Sequence, residues 1–256
     1  MSVVRLSQTR QQRILGKLES GGEIHVKSLA EEFGVSTETI RRDLKLLQSE
    51  EKLTRVHGGA LPTEPPTIAP VSERRSVQSA QKVAIARLTA GLVREGQSIF
   101  LGGGSTLLAV ADAVADGPSA TFLTVMPDIA DILLRSGRHT VSLTGGVYDP
   151  ESRSLRGEDA LRAIRDRFFD LAIVGASALD AELGVLDNHE SQFQLQRTLN
   201  ERARLYALVA DDSKFDRGGR YVTLPLSALD YVVTNQPPSP SYLEKLSQTK
   251  AQVIWP

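Results

Sequence analysis

The first 61 residues repeat hydrophobic positions with the spacing of amphipathic helices. Three apolar stripes are present, and they contain in chain order Ile14, Leu15 and Leu18, then Leu29, Ala30 and Phe33, and then Ile40, Leu44 and Leu47. Apolar residues three or four positions apart share one face of a helix, so the pattern predicts three short helices in a compact bundle. Gly34 is expected to end the second helix, and the Ser36 hydroxyl to cap the third.

The segment after the third predicted helix has the period of a β-strand. Residues 53–61, LTRVHGGAL, alternate apolar and polar positions, and Gly58 with Gly59 predicts the turn of a hairpin. Residues 62–70, PTEPPTIAP, then carry four prolines and no helical stripe. Proline-rich segments favour extended backbone, so a stiff linker is predicted over residues 62–71.

Residues 72–256 have a different pattern, in which short continuous apolar runs alternate with helical segments. The runs are SIFL (98–101), TFLTVM (121–126), TVSLTG (140–145), LAIVGA (171–176), LYALVA (205–210), YVVT (231–234) and QVIW (252–255). Such runs are typical of parallel strands that are buried on both faces by helices. The second domain is therefore predicted to be α/β with a mostly parallel sheet.

Composition narrows the classes of protein and of site. The 256 residues are 41% hydrophobic and 24% charged, as in soluble globular proteins. The chain has no cysteine, which excludes disulfides and thiolate zinc sites, and its four histidines lack ligand spacing, so no metal or cofactor is expected. Neither a signal peptide nor a spanning segment is recognisable, and we expect a cytoplasmic protein without a membrane partner.

The predicted third helix has a polar, mainly basic face opposite its apolar stripe. This face contains Glu38, Arg41, Arg42, Lys45 and Ser49, with Thr37 and Thr39 at its leading end. The pattern fits an ordinary solvated helix, but also a recognition helix whose first turns meet base edges while Arg and Lys reach phosphates. A short helix before it and a basic hairpin with Arg55 and His57 after it favour a winged helix-turn-helix.

Residues 35–60, VSTETIRRDLKLLQSEEKLTRVHGGA, resemble the DNA-binding domain of DeoR-type bacterial transcriptional regulators. The shared signature is VS-x-x-TIRRDL followed by L-x-R-x-HGGA, and Glu51 departs from the usual glycine after the helix. The resemblance implies a DNA-binding domain over residues 1–61 whose DNA-facing residues are Ser36, Thr37, Thr39, Arg41, Arg42, Lys45, Arg55 and His57. For Arg41 an ion pair with Asp43 or with the first helix is an alternative.

Two segments of the second domain suit a phosphate. Residues 102–106, GGGST, lie between a predicted strand and a helix, where glycines admit close approach and the helix N-terminus attracts anions. Leu107 and the absence of a lysine before the serine exclude the common dinucleotide and nucleoside triphosphate motifs. Tight packing is the alternative explanation. Ser213 and Lys214, in ADDSKF, follow another predicted strand at the edge where such sheets bind ligands.

Together these segments resemble the phosphate-binding loops of ribose-5-phosphate isomerase and of the sensor domain of DeoR-type regulators. The resemblance implies an isomerase-like, Rossmann-type sensor over residues 72–256 that binds a phosphorylated sugar or polyol. The implied ligand-binding residues are Gly103, Gly104, Ser105, Thr106 and Lys214. Gly102, Val125 and Gln196 depart from the aspartate, asparagine and lysine that are usual in the family.

We interpret the chain as a repressor of carbohydrate-catabolism genes that binds operator DNA and is not an enzyme. An isomerase with an appended DNA-binding domain is the alternative, although residues 175–180, GASALD, replace the acidic segment that the isomerase carries. An architectural DNA binder would leave the second domain without a role. A homo-oligomer, either dimer or tetramer, is expected because one small winged helix contacts too little DNA for adequate specificity.

Overall fold

A computed structural model of the chain describes residues 10–18, 24–50, 52–56, 58–62 and 70–256. The chain divides into two compact units, one of residues 1–68 and 217–220 and the other of residues 69–216 and 221–256. In the part of the chain that the structure describes, no helix has the length and apolar character needed to cross a membrane.

The first unit combines three helices with a small antiparallel sheet. Its elements are α1 (residues 10–18), β1 (Ile24–His25), α2 (Val26–Phe33), α3 (Thr37–Ser49), β2 (Leu53–Val56) and β3 (Gly59–Pro62). The strand order is β1-β3-β2. The three predicted apolar stripes form one core, in which seven of the nine residues are buried and Leu15 and Phe33 are partly buried.

Two predicted signals separate α2 from α3. Gly34 adopts the left-handed region at φ 62°, and its N–H donates to the carbonyls of Ala30 and Glu31. Glycine tolerates this conformation without a Cβ clash, so α2 ends there. The Ser36 hydroxyl then accepts the Thr39 N–H at 3.2 Å, which caps α3.

The second unit is an α/β domain. Its elements are α4 (Val71–Arg74), α5 (Ser79–Ala90), β4 (Ser98–Leu101), α6 (Ser105–Val114), β5 (Thr121–Thr124), α7 (Pro127–Leu134), β6 (Thr140–Leu143), β7 (Val147–Asp149), β8 (Ser154–Arg156), α8 (Glu158–Arg165), β9 (Phe169–Gly175), β10 (Ala178–Asp180), β11 (Gly184–Asp187), α9 (Glu190–Asn200), β12 (Ala203–Val209), β13 (Tyr221–Leu224), β14 (Tyr231–Val233), α10 (Pro240–Ser247) and β15 (Gln252–Ile254).

Seven strands form the central sheet, in the order β15-β14-β12-β9-β4-β5-β6. All six neighbouring pairs are parallel. These strands coincide with the seven apolar runs of the sequence, so the predicted α/β class and parallel sheet are confirmed. The remaining strands make the antiparallel sheet β10-β11-β13 and the hairpin β7-β8.

Helices cover both faces of this sheet. One core contains residues of α4 to α7, such as Val71, Ile85 and Ile129. The other contains residues of α8 to α10, such as Leu199 and Tyr242. The first strand of this sheet along the chain is β4, next to the middle strand; the chain then moves outward to β6 and returns to β9 on the other side of β4. The strand order therefore reverses between β4 and β9, which is where open α/β sheets bind ligands at their carboxyl edge.

Candidate functional sites

The basic face of α3 is open to solvent in the first unit. Arg41, Arg42 and Lys45 are exposed, while the opposite stripe of this helix is buried. Arg55 is exposed on β2, the first strand of the predicted wing. A face of this kind can bring cations to phosphates while the far side of the helix stays in the core.

The hydroxyl groups at the start of α3 hold the helix terminus. Ser36 Oγ and Thr39 Oγ1 lie 2.9 Å apart, and Thr37 is half-buried. The Arg41 guanidinium pairs with Glu38 at 3.5 Å, and the Asp43 carboxylate accepts from Arg10 of α1, so the predicted pair of Arg41 with Asp43 is wrong. His57, Glu51 and most of the predicted linker, residues 63–69, lie outside the described residues.

The glycine-rich turn lies at the carboxyl end of β4, at the reversal of strand order. The Gly102 N–H donates to the Ile173 carbonyl of β9 at 2.9 Å, which fixes the start of the turn. Gly104 precedes α6 with φ 122°, a conformation that favours glycine. Ser105 is buried and Thr106 is half-buried in the first turn of α6. The free N–H groups and the positive end of this helix suit an anion.

Lys214 lies at the same edge of the sheet, after β12. It closes a 3₁₀ turn, Asp212–Lys214, whose start is capped by the Asp211 carboxylate, since that group accepts the Ser213 N–H at 3.1 Å. Asp212 and Asn235 also exchange two hydrogen bonds of 2.8 Å, which hold the turn against the end of β14. Because β12 and β4 are separated by β9 alone, the two loops start roughly 10 Å apart.

Buried charges at this edge were missed by the sequence reasoning. Only 6% of Lys82 is exposed, and its ammonium donates to the Arg74 carbonyl at 2.5 Å and to the Val77 carbonyl. Burial lowers the pKa of Lys82, Asp211 opposes that shift, and Lys214 and Arg74 add to it. Lys82 lies on the buried face of α5 together with three later residues. In the sequence, a lysine at a position of this face where an apolar residue is expected could have indicated a buried charge.

Asp187 is the second missed group, at the end of β11. Only 4% of it is exposed, and burial raises the pKa of its carboxyl group. The N–H groups of Asn188, at 2.8 Å, and His189, at 3.1 Å, donate to its Oδ1 and favour the charged form. Burial lowers the pKa of Arg74, and the nearby Asp187 carboxylate offsets part of that decrease.

A serine pair lines the other side of the glycine-rich turn. The Ser154 Cβ would lie 3.7 Å from a Cβ added at Gly103, and the Ser154 hydroxyl lies 2.7 Å from the Ser152 hydroxyl. Ser152 donates in turn to Asp149 at 2.6 Å. Burial would raise the pKa of Asp149, but the bonds from Ser152 and the nearby Arg156 outweigh it and lower that pKa.

The positions that depart from the family pattern have structural contacts here. The Val125 side chain would meet a Cβ at Gly103 at 3.4 Å, so it forms an apolar wall of the turn. Gln196 is buried, donates to the Gly175 carbonyl at 3.1 Å, and accepts from the Thr223 hydroxyl at 3.3 Å. Among the described residues, no group of three or more His, Cys, Asp or Glu side chains is placed to hold a metal ion.

Two family models match the chain. The DeoR-like helix-turn-helix domain matches residues 10–65, and the DeoR C terminal sensor domain matches residues 77–236. The Glycerol-3-phosphate regulon repressor of Escherichia coli (strain K12) is 29% identical over 244 residues, which cover 95% of this chain and 97% of that repressor. The transcriptional repressor AccR of Agrobacterium fabrum is 32% identical over 235 residues, which cover 91% of each chain.

A similarity to a solved structure is weaker. Ribose 5 phosphate isomerase A from Neisseria gonorrhoeae shares 18% identity with a TM-score of 0.41, over 57% of this chain and 56% of that chain. A similarity at this level carries no argument about the function of the chain.

Proposed function

The chain belongs to the DeoR family of DNA-binding transcriptional regulators, and from this premise we propose that it is a repressor controlled by a phosphorylated sugar or polyol. The observation that carries the proposal is the glycine-rich turn at the reversal of strand order. There the free N–H groups of α6 and the Lys214 loop share one edge of the sheet. One relative is named for glycerol 3-phosphate, a phosphorylated polyol, which supports this effector class.

The proposed effector contacts follow from the chemistry of a phosphate group. Gly103 and Gly104 allow main-chain N–H groups to approach it, Ser105 and Thr106 offer hydroxyls, and Lys214 offers positive charge. A free sugar or polyol carries no negative charge that these groups could stabilise, so the phosphorylated compound should bind much more tightly.

The proposed operator contacts are made by α3 and the wing. Arg42, Lys45 and Arg55 are exposed and basic. Arg41 also contacts a DNA phosphate in this proposal, and its exposed ion pair with Glu38 breaks when that contact forms. Ser36, Thr37, Thr39 and His57 complete the proposed set. We propose domain bounds of 1–61, 62–71 and 72–256, and a homo-oligomer that reads two half-sites.

We propose no catalytic role for the second domain. Asp180 is the carboxylate nearest to the position of the isomerase's acidic segment, but its Oδ1 accepts the N–H groups of Glu182 and Leu183, each at 2.8 Å. It therefore caps the turn between β10 and β11, which gives this carboxylate a structural role.

Calorimetry on the full-length protein tests this function. Wild type and the Lys214→Ala variant are titrated with glycerol 3-phosphate, a panel of sugar phosphates, and the matched free compounds. We expect a phosphorylated compound to bind wild type, and Lys214→Ala to weaken it while operator affinity stays unchanged. Lys250→Ala, which removes an exposed lysine paired with Asp230, is the control. If no phosphorylated compound binds, or if the Lys214 variant binds it equally well, the effector class is wrong.

A further inference from the structure

Leu46 is an apolar residue on the exposed side of α3. Its side chain is 47% exposed, and among the described residues of the range 10–62 it is the one large hydrophobic residue that is exposed. Single exposed leucines are common on protein surfaces, so exposure alone assigns no role. The position of Leu46 on the helix is what assigns one.

Leu46 lies beside Arg42 on the basic face of α3. It follows Arg42 by four residues, so the two side chains start about 40° apart around the helix axis and about 6 Å apart along it. Helical side chains lean toward the N-terminus, so Leu46 leans toward the turn that carries Arg42. The buried residues Leu44 and Leu47 belong to the other side of the helix. A partner that contacts Arg42 on this face therefore passes close to Leu46.

The acidic residues of α3 and of its C-cap are paired with cations. The pairs are Asp43 with Arg10 at 2.6 Å, Glu38 with Arg41 at 3.5 Å, and Glu50 with Lys52 at 2.7 Å. Within the described residues, the face around Leu46 therefore presents exposed cations, from Arg42 and Lys45, and no unpaired carboxylate of this helix. Such a face attracts a polyanion.

The charges beside Leu46 also decide which kind of partner suits it. A second protein chain that covered the leucine would take Arg42 and Lys45 out of water, at a cost of several kcal/mol unless each found a counter-ion. DNA supplies those counter-ions as phosphates. In the major groove, DNA also supplies one apolar group on the edge of a base, the C5-methyl group of thymine.

We propose that Leu46 contacts the C5-methyl group of a thymine in the operator and thereby selects thymine at that position. The proposal rests on the proposed operator contacts of α3, and it adds a base preference to them. The leucine side chain has no hydrogen-bonding group, so its gain on binding comes from apolar surface removed from water. Arg42, one turn earlier, then contacts a neighbouring base or phosphate.

Deoxyuridine tests the proposal, because it lacks only the C5-methyl group of thymidine. A duplex that wild type selects from a random DNA pool is the probe, and each thymine of one half-site is replaced in turn. At one position we expect wild-type affinity, measured by fluorescence anisotropy at one salt concentration, to fall about fourfold. The same replacement should leave the affinity of Leu46→Ala almost unchanged, since the variant has already lost the contact. Leu134→Ala, which truncates a leucine of α7 that is 51% exposed, is the matched control and should respond as wild type does.

Two further measurements separate a base contact from a structural role. Alanine is a better helix former than leucine, so Leu46→Ala should fold, and amide hydrogen exchange of α3 verifies this. Leu46→Met keeps an apolar side chain of similar volume, and it should keep the response to deoxyuridine even where Leu46→Ala does not fold.

The role of Leu46 is overturned if no thymine of the half-site responds in wild type, or if Leu46→Ala responds as strongly as wild type. A variant that keeps the response and sediments as a smaller oligomer would place Leu46 in a contact between protein chains. Arg42→Ala on the same duplex distinguishes the two proposals. If Arg42→Ala binds more weakly while the Leu46 test fails, the operator contacts of α3 stand, and if it binds as wild type does, they fail too.

Discussion

Arg10 Nε lies 2.6 Å from the Asp43 carboxylate, and this contact joins the first helix to the recognition helix across 33 positions of sequence. Gln11 donates to the other carboxylate oxygen at 3.1 Å. The side chain of Asp43 is 6% exposed and that of Arg10 is 17% exposed, so water screens the pair poorly. Asp43 therefore sets the orientation of α3, while the exposed basic face of the helix takes no part in this contact.

Replacing Asp43 should destabilise the first domain. Asp43→Ala leaves the Arg10 guanidinium and the Gln11 amide without their acceptor, and we expect a loss of about 2 kcal/mol. Glu38→Ala removes the exposed pair with Arg41 on the same helix, and it should cost at most about 0.5 kcal/mol. Amide hydrogen exchange of α1 and α3, read by mass spectrometry, measures the first domain separately from the second. Equal losses in the two variants would contradict a special role for Asp43.

Arg42 should contribute directly to operator binding. Its side chain is exposed on the basic face of α3, so Arg42→Ala should cost roughly 1 to 3 kcal/mol if it contacts a base, and less if it contacts phosphate alone. In the phosphate case the slope of log affinity against log salt should fall by about one. Fluorescence anisotropy on operator DNA measures both. Arg135→Ala, an exposed arginine of the second domain, is the control, and an unchanged affinity for Arg42→Ala in a folded protein would exclude this residue from the interface.

The two glycines of the wing should respond differently to alanine. A Cβ at Gly59 would collide with the main-chain carbonyl of Ile24, on the neighbouring strand, whereas the space around Gly58 is open. Gly58 instead adopts φ 90°, where an added side chain is strained. We expect Gly59→Ala to cost about 3 kcal/mol or more and Gly58→Ala about 1 to 2 kcal/mol. Hydrogen exchange of α2 and β1 measures the difference in stability. A larger loss of stability for Gly58→Ala than for Gly59→Ala would show that backbone strain at Gly58 outweighs the clash at Gly59.

Much of the fold could be predicted from the sequence because local signals agreed with burial. Strands covered on both faces leave uninterrupted apolar runs, and all seven strands of the central sheet were visible this way. Gly34 and Ser36 act within four residues of the backbone groups they satisfy, so their roles were also visible. The strands β10, β11 and β13 form a separate antiparallel sheet and were not predicted, and β10 and β11 hold only two apolar residues each before an aspartate.

The charged contacts could not be predicted, because distant parts of the chain decide them. Asp43 is closer in sequence to Arg41 than to Arg10, yet in the structure its carboxylate pairs with Arg10. Lys82 and Asp211 are 129 positions apart in sequence, yet Asp211 opposes the decrease that burial causes in the Lys82 pKa. The DeoR-type family was predicted from two motifs and is confirmed. The contacts of individual residues with DNA and effector remain predictions.

Asp128 should make the second domain sensitive to acid. Arg153 donates to both of its oxygens, at 2.6 and 2.9 Å, and these hydrogen bonds are the main cause that lowers the pKa of the Asp128 carboxyl group. A pKa that is lower in the folded state than in the unfolded state means that the pair stabilises the fold above the ordinary aspartate pKa of about 3.9. The contribution is lost as the pH falls below that value and through the folded-state pKa.

The Asp128→Asn variant should therefore unfold at a lower temperature than wild type at pH 7. The gap between the two melting temperatures should close as the pH is lowered from about 5 to about 2.5, because wild type loses its charge and the variant has none to lose. Circular dichroism melts at several pH values measure the gap. Asp112→Asn removes the more exposed pair with Arg135 and should give a smaller gap at pH 7. A gap for Asp128→Asn that stays constant down to pH 2.5 would mean that the asparagine disturbs packing, and that the ion pair with Arg153 contributes no acid sensitivity.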